Sequence, residues 1–160
     1  MKNLIIQFCL AVCFTGVSSA QEQEPYFVSP GDLNLKLEIT RSGRDISAVM
    51  ECSNLRDFDI YVPLYFINPV EELGGRKTMI NNVFEIINQD HRQALYLGAM
   101  VKRVYPPPVG QCLLLERGGK IRFEVQSLRT HYRFPLLSKV VTVRYRGPLG
   151  ESNLVEISLY

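Results

Sequence analysis

Hydrophobic and polar residues alternate along several stretches of the chain. In DLNLKLEIT (32–40), leucine and isoleucine occupy every second position and polar residues lie between them. The same period of two recurs in IRFEVQSL (121–128). A period of two is typical of a half-buried β-strand. Short turn sequences such as RSGRD and RGGK follow or precede these runs, so the pattern predicts short antiparallel strands joined by tight turns.

Further apolar runs bring the predicted strands to about nine, a number typical of a sandwich. They cover residues 46–52, 58–68, 83–88, 94–101, 112–116, 140–147 and 153–160. Residues 69–81 form the longest predicted loop, and one helical turn is predicted near SLRTHY (127–132). The pattern therefore favours an all-β fold over residues 32–160, an immunoglobulin-like antiparallel β-sandwich of about 7–9 strands.

The N-terminus has the pattern of a secretory signal peptide. Lys2 precedes the apolar run LIIQFCLAVCFTGV, and small residues at 18 and 20 precede polar QEQE. We predict a signal peptide over 1–20, a loosely ordered leader over 21–31, and an exported chain, periplasmic or extracellular. A single membrane anchor is the weaker interpretation because the run is shorter than a span requires. A lipoprotein anchored at Cys13 is the other alternative. The mature chain contains no further stretch long enough to span a membrane.

Two cysteines, Cys52 and Cys112, remain after the predicted signal peptide. An even pair in an exported domain predicts a disulfide, since the compartment is oxidising. Two buried free thiols are the alternative.

Charge is unevenly distributed along the chain. Residues 21–90 contain 6 Lys and Arg against 12 Asp and Glu, whereas residues 91–160 contain 11 against 4. The basic half is either a surface for an acidic partner or the charge complement of the acidic half within the sandwich, which we favour. The two halves nearly cancel, so nucleic-acid binding is not expected.

The stretch YLGAMVKRVYPPP (96–108) joins a strand to an adjacent Lys–Arg pair and three prolines. Lys102 and Arg103 admit three interpretations: a dibasic processing site, part of an anion site with Arg92 and Arg144, or a charged strand end that discourages edge pairing. The prolines predict an extended surface connection.

Residues 83–147 resemble the N-terminal β-sandwich region of deuterolysin-type zinc metalloproteases. The shared pattern is Tyr96-x-Gly98, then Lys102–Arg103 and Pro106, followed by RGGKIRFEVQSL, SLRTHYRF and KVVTVRYRG. The chain has no HExxH sequence, which that proteolysis requires. The resemblance therefore implies the accessory or pro-region fold standing alone without peptidase activity, and a protein that binds or restrains a protease-related partner.

Catalytic motifs are not found elsewhere in the sequence. The two histidines, His91 and His131, lie far apart, and neither a GxSxG elbow nor a P-loop is present. No metal or cofactor is expected. A small envelope hydrolase using His91 or His131 is one alternative function. A carbohydrate-binding or structural envelope module is another, although the chain has no tryptophan.

The predicted binding surface combines basic and aromatic residues of the second half of the chain. Its members are Lys102, Arg103, Tyr105, Tyr132 and Arg133. Aromatic and arginine side chains supply the anchors of many interfaces. For Tyr132, a corner tyrosine that bonds its own backbone is the favoured alternative. The sequence thus predicts an exported, non-catalytic module that contacts another protein.

Overall fold

The computed structural model describes residues 24–136 and 138–160. Strands make up 51% of it and helices 8%, which confirms the all-β prediction. The fold is antiparallel and sandwich-like, and its immunoglobulin-like strand order stays a prediction. The predicted signal peptide and the alternative anchor at Cys13 lie outside the described residues.

The described residues form short strands, two single-turn helices and one 3-10 turn. The strands are β1 (Leu33–Ser42), β2 (Asp45–Asn54), β3 (Ile60–Pro63), β4 (Val70–Leu73), β5 (Arg76–Met79), β6 (Phe84–Asn88), β7 (Leu95–Tyr96), β8 (Cys112–Leu115), β9 (Lys120–Val125), β10 (Tyr132–Arg133), β11 (Val140–Gly147), β12 (Gly150–Glu151) and β13 (Val155–Ser158). The helices are α1 (Leu64–Ile67) and α2 (Leu128–His131), and the 3-10 turn is Val109–Gln111.

Two sheets form the body of the fold. In the first, β2 lies between β1 and β9, with Met50 opposite Leu37 on one side and Phe123 on the other. In the second, β11 is central. The strands β6, β13 and β12 all pair with β11. The pairs β3–β8, β4–β5 and β7–β10 form smaller ribbons.

The burial of side chains follows the alternation of apolar and polar residues in the sequence. The leucines of β1 are buried while the residues between them are exposed, as a period of two requires. They join buried side chains of β2, β6 and β11 in one core, including Met50, Phe84, Val143 and Tyr145. Complete burial of each such apolar side chain stabilises the fold by about 1.5–3 kcal/mol.

Three predicted elements differ from the structure. The predicted strand 58–68 ends at Pro63, because proline has no N–H for the ladder, and α1 follows. The predicted loop 69–81 contains the β4–β5 hairpin, whose turn is Gly74–Gly75 with both φ angles positive (58° and 77°). The predicted strand 94–101 is reduced to β7. A Cβ on Gly98 would lie 2.3 Å from the Tyr96 hydroxyl, so the tyrosine ring occupies that space.

Part of the predicted leader, residues 26–28, contacts the ribbon formed by β3 and β8. Val28 is only 3% exposed. Its N–H donates to the Tyr61 carbonyl (3.0 Å), and the Tyr61 N–H donates to the Tyr26 carbonyl (2.8 Å). Residues 26–28 therefore extend the β3–β8 ribbon through backbone hydrogen bonds.

The two outer edges of the first sheet are treated differently. On the β1 edge, the Asn153 side chain accepts the Leu37 N–H (2.7 Å) and donates to the Leu37 carbonyl (3.1 Å). Arg41 also donates to the Ser158 carbonyl (2.9 Å), so this edge is joined to the second sheet. The β9 edge pairs with no strand of the described chain other than β2.

Candidate functional site

The segment from Ser127 to Phe134 lies between two surface pockets and contributes residues to both. Ser127 has a positive φ of 54° and its hydroxyl donates to Asp45 (3.0 Å), which turns the chain from β9 into α2. The predicted helical turn near SLRTHY is confirmed as α2. The following strand, β10, pairs with β7.

Tyr132 anchors this segment in the core. Its side chain is 1% exposed. Its hydroxyl accepts the Phe84 N–H (3.1 Å) and donates to Asn82 Oδ1 (2.9 Å). Burial raises the pKa of Tyr132 well above its ordinary value. The hydroxyl thus bonds the backbone of a residue remote in sequence, rather than nearby backbone as in the corner-tyrosine interpretation, and the ring is not available as an exposed contact.

Three arginines contribute to the lining of an open pocket of about 590 Å³ on one side of the segment. Arg129 comes from α2, Arg133 from β10 and Arg44 from the turn between β1 and β2. Phe134 and Leu159 add apolar lining, and the Arg129 guanidinium lies 5.0 Å from the centre of the Phe134 ring. None of the three arginines forms an ion pair with a carboxylate of the described chain. We call this feature the arginine pocket.

A cleft of about 580 Å³ lies on the other side of the segment. Its lining includes Glu71, Glu72 and Lys77 of the β4–β5 hairpin, Glu124 of β9, and His131. We call it the acidic cleft, because it carries three carboxylates against one lysine. His131 is only 5% exposed, and burial lowers its pKa. Within the described chain the imidazole forms neither an ion pair nor a side-chain hydrogen bond.

Lys102, Arg103 and Tyr105 line neither feature. Arg103 forms an ion pair with Glu71 and lies 5.0 Å from the centre of the Tyr65 ring. The Tyr105 hydroxyl donates to the Val28 carbonyl. Lys102 is exposed. Of the five predicted contact residues, the structure therefore places Tyr132 and Arg133 together at the arginine pocket and the other three elsewhere.

The uneven charge of the two halves is partly neutralised within the fold. Five of the nine ion pairs of the described residues join a basic residue after position 90 to an acidic residue before it. Arg144 contacts Glu85 in this way and also pairs with Glu151 of its own half, so its guanidinium is engaged within the fold. The favoured interpretation, charge complementation inside the sandwich, accounts for these arginines.

The predicted disulfide is not formed, since Cys52 and Cys112 are both free thiols. Cys52 is buried in β2 and Cys112 lies partly exposed at the start of β8, in a different sheet. Burial raises the pKa of the Cys52 thiol to about 12. A thiol with such a pKa is protonated at neutral pH and is a poor nucleophile.

The five predicted contact residues include neither Arg44 nor Arg129, which both line the pocket. The sequence does offer a signal for Arg129, because it lies in the same SLRTHYRF segment as Tyr132 and Arg133. Arg44 gave no local signal, since its turn reaches the pocket only through the packing of the sheets.

The comparison with protein-family models and with curated proteins gave no match. The resemblance to deuterolysin-type proteases accordingly stays a prediction. Among the described residues, no helix has the length and apolar character to cross a membrane. No group of three or more metal-ligating side chains is found among those residues either.

Proposed function

We propose that this chain is an exported, non-catalytic β-sandwich module that uses its arginine pocket to bind an acidic segment of another protein. The observation that carries the proposal is that three arginines line one pocket and none of them forms an ion pair with a carboxylate of the described chain. Guanidinium groups match carboxylates in shape and hydrogen bonding.

The size and lining of the pocket support a side chain or short peptide segment as the ligand. A volume of about 590 Å³ lies within the usual range of ligand pockets, roughly 300–1,000 Å³. Phe134, Pro135 and Leu159 provide apolar surface beside the charges, so an acidic segment with an adjacent apolar residue fits best. A protease-related partner is the part of the proposal that the sequence resemblance supplies.

The geometry of the histidines gives the hydrolase alternative little support. A catalytic imidazole needs a nucleophile and an orienting partner within hydrogen-bonding reach. His91 is exposed in the turn after β6, where its backbone N–H donates to the Asn88 carbonyl (3.0 Å). His131 lines the acidic cleft, but its ring hydrogen-bonds to no carboxylate or hydroxyl among the described residues.

The test is fluorescence anisotropy with a labelled hexaglutamate peptide at low ionic strength, where charge pairing is least screened. We expect the wild-type chain to bind it in preference to hexalysine. Arg129→Ala/Arg133→Ala should weaken binding about tenfold or more, a loss of about 1.4 kcal/mol, with an unchanged melting temperature.

The matched control is Arg76→Ala/Lys77→Ala, which removes two exposed cations of β5 that lie outside the arginine pocket. It should bind like the wild type. The variant Lys102→Ala/Arg103→Ala tests the second predicted surface. Equal affinity of the pocket variant and the wild type would overturn the proposal, and loss in the 102/103 variant alone would move the site to the proline-rich segment.

A further inference from the structure

The outer edge of β9 presents unpaired backbone groups, and the β2–β9 register shows which residues they belong to. The Asn54 N–H donates to the Gly119 carbonyl (2.9 Å), and these residues continue the β2–β9 register. In an antiparallel ladder, backbone groups of alternate residues face the same neighbour. The N–H and C=O groups of Ile121, Phe123 and Val125 therefore face β2, and those of Lys120, Arg122 and Glu124 face outward.

The side chains of β9 are self-complementary about its centre. Lys120, Arg122 and Glu124 are exposed on the solvent face, whereas Ile121 and Phe123 are half-buried on the core face. When a second β9 strand lies antiparallel to the first with Phe123 opposite Phe123, Arg122 lies opposite Glu124. Ile121 then lies opposite Val125.

We propose that two copies of this chain dimerise by antiparallel pairing of their β9 strands, with the two-fold axis through Phe123. Arg122, whose contact with Glu38 of its own chain is long (3.7 Å) and exposed, then lies opposite Glu124 of the other copy. These residues have outward-facing backbone groups, so they exchange both of their N–H···O bonds. The two Phe123 side chains form the closer, non-hydrogen-bonded pair on the core face, and cross-strand aromatic and opposite-charge pairs both stabilise a sheet.

The charges select this register over its neighbours. A shift of the pairing by two residues keeps the backbone phase but places Arg122 opposite Arg122, or Glu124 opposite Glu124, and like charges directly opposite each other are destabilising. In the proposed register, Lys120 of the second copy lies opposite Gln126. Gln126 lines the acidic cleft with Glu72, so the incoming lysine also meets complementary charge.

The two edges of the first sheet differ in a way that fits this assignment. The β1 edge is held by Asn153 and Arg41, whereas the β9 edge has no strand partner among the described residues. Charged residues on an edge also serve to prevent pairing. In that case the protein is monomeric, and the experiment below distinguishes the two outcomes.

The test is sedimentation velocity of the purified protein under reducing conditions, which removes any dimer linked through Cys112. We expect a concentration-dependent dimer. Glu124→Arg places arginines opposite each other at both pairs and should weaken dimerisation about tenfold or more. Arg122→Glu/Glu124→Arg exchanges the charges and should restore it.

The matched control is Glu156→Arg, which reverses one exposed charge on β13 in the other sheet and should leave dimerisation unchanged. Circular dichroism melts confirm that each variant is folded. A wild-type monomer at the highest soluble concentration overturns the proposal. A dimer that is insensitive to Glu124→Arg, or that a folded double variant fails to restore, overturns it as well.

Discussion

The arginine pocket and the acidic cleft have nearly the same volume, about 590 and 580 Å³, yet they carry opposite charge. They lie on either side of one short segment, since Arg129 and Arg133 line the pocket while Thr130 and His131 line the cleft. The difference in charge comes partly from Arg129 and Arg133 of the segment itself and partly from its neighbours. The β4–β5 hairpin of the acidic half supplies Glu71 and Glu72 to the cleft, and the β1–β2 turn supplies Arg44 to the pocket.

The comparison separates two uses of charge in one molecule. In the cleft, Glu71 is already paired with Arg103, so part of its charge is neutralised within the fold. In the pocket, the three arginines have no such partner in the described chain. Charge that is neutralised internally contributes to stability, whereas charge left open is free to contribute to binding. Variants of the shared segment can distinguish the two.

Among variants of the shared segment, Tyr132→Phe is expected to have the largest effect on stability. The substitution removes the hydroxyl that accepts the Phe84 N–H and donates to Asn82, leaving a buried amide unsatisfied. Loss of a buried hydrogen bond of this kind costs roughly 1–3 kcal/mol. We expect the free energy of unfolding, measured by urea denaturation, to fall by about 2 kcal/mol, since the segment that separates the pocket from the cleft loses its anchor.

The control for this variant is Tyr160→Phe, because Tyr160 also lines the arginine pocket but is 74% exposed. It should change stability little. Equal stability of Tyr132→Phe and the wild type would mean that the segment is held by its other contacts.

A smaller effect, dependent on pH, is expected from His131 on the cleft side. Burial lowers its pKa below the ordinary value of 6.5, although Glu71, Glu72, Glu124 and Lys77 also line the cleft. The unfolded chain therefore takes up the proton first as the pH falls. The contribution of His131 to the free energy of unfolding is therefore fully present above about pH 6.5, where the imidazole is neutral in both states. It is lost as the pH falls below that value.

Urea denaturation at about pH 7.5 and about pH 5.5 measures this contribution. In His131→Gln the loss of stability between the two pH values should be smaller than in the wild type. His91→Asn is the matched control, because asparagine tolerates the positive φ of 60° at that turn, and it should retain the full pH dependence. An identical pH dependence in His131→Gln would assign the effect to the carboxylates.

Much of the fold could be predicted from local pattern. The alternation in β1, β2 and β11, the turn before β9 and the single turn of α2 all depend on residues close in sequence. Elements that depend on tertiary packing were harder to predict. The β4–β5 hairpin carries polar residues on both faces, so it gave no clear periodicity, and Val28 joins β3 only because Tyr61 offers backbone partners.

The site was predicted only in part, because its members come from separate elements. Arg133 was recognised as a surface cation, but its association with Arg44 depends on where the β1–β2 turn lies in space. The disulfide prediction was wrong for the same reason: composition and compartment say nothing of which sheet holds each cysteine. Tyr132 was recognised as important, and its burial shows that its role is to position the segment.

The smallest effect on stability is expected from Arg133→Ala, and it gives the comparison its sharpest test. Arg133 is exposed and has no ion-pair partner in the described chain, so its removal should change the free energy of unfolding by no more than about 0.5 kcal/mol. Arg144→Ala, by contrast, removes a guanidinium paired with Glu85 and Glu151 and should lower the melting temperature measurably. If Arg133→Ala were as destabilising as Arg144→Ala, the arginine pocket would be part of the structural charge network. A stable Arg133→Ala protein that binds hexaglutamate poorly would show instead that charge was left open at this pocket for a ligand.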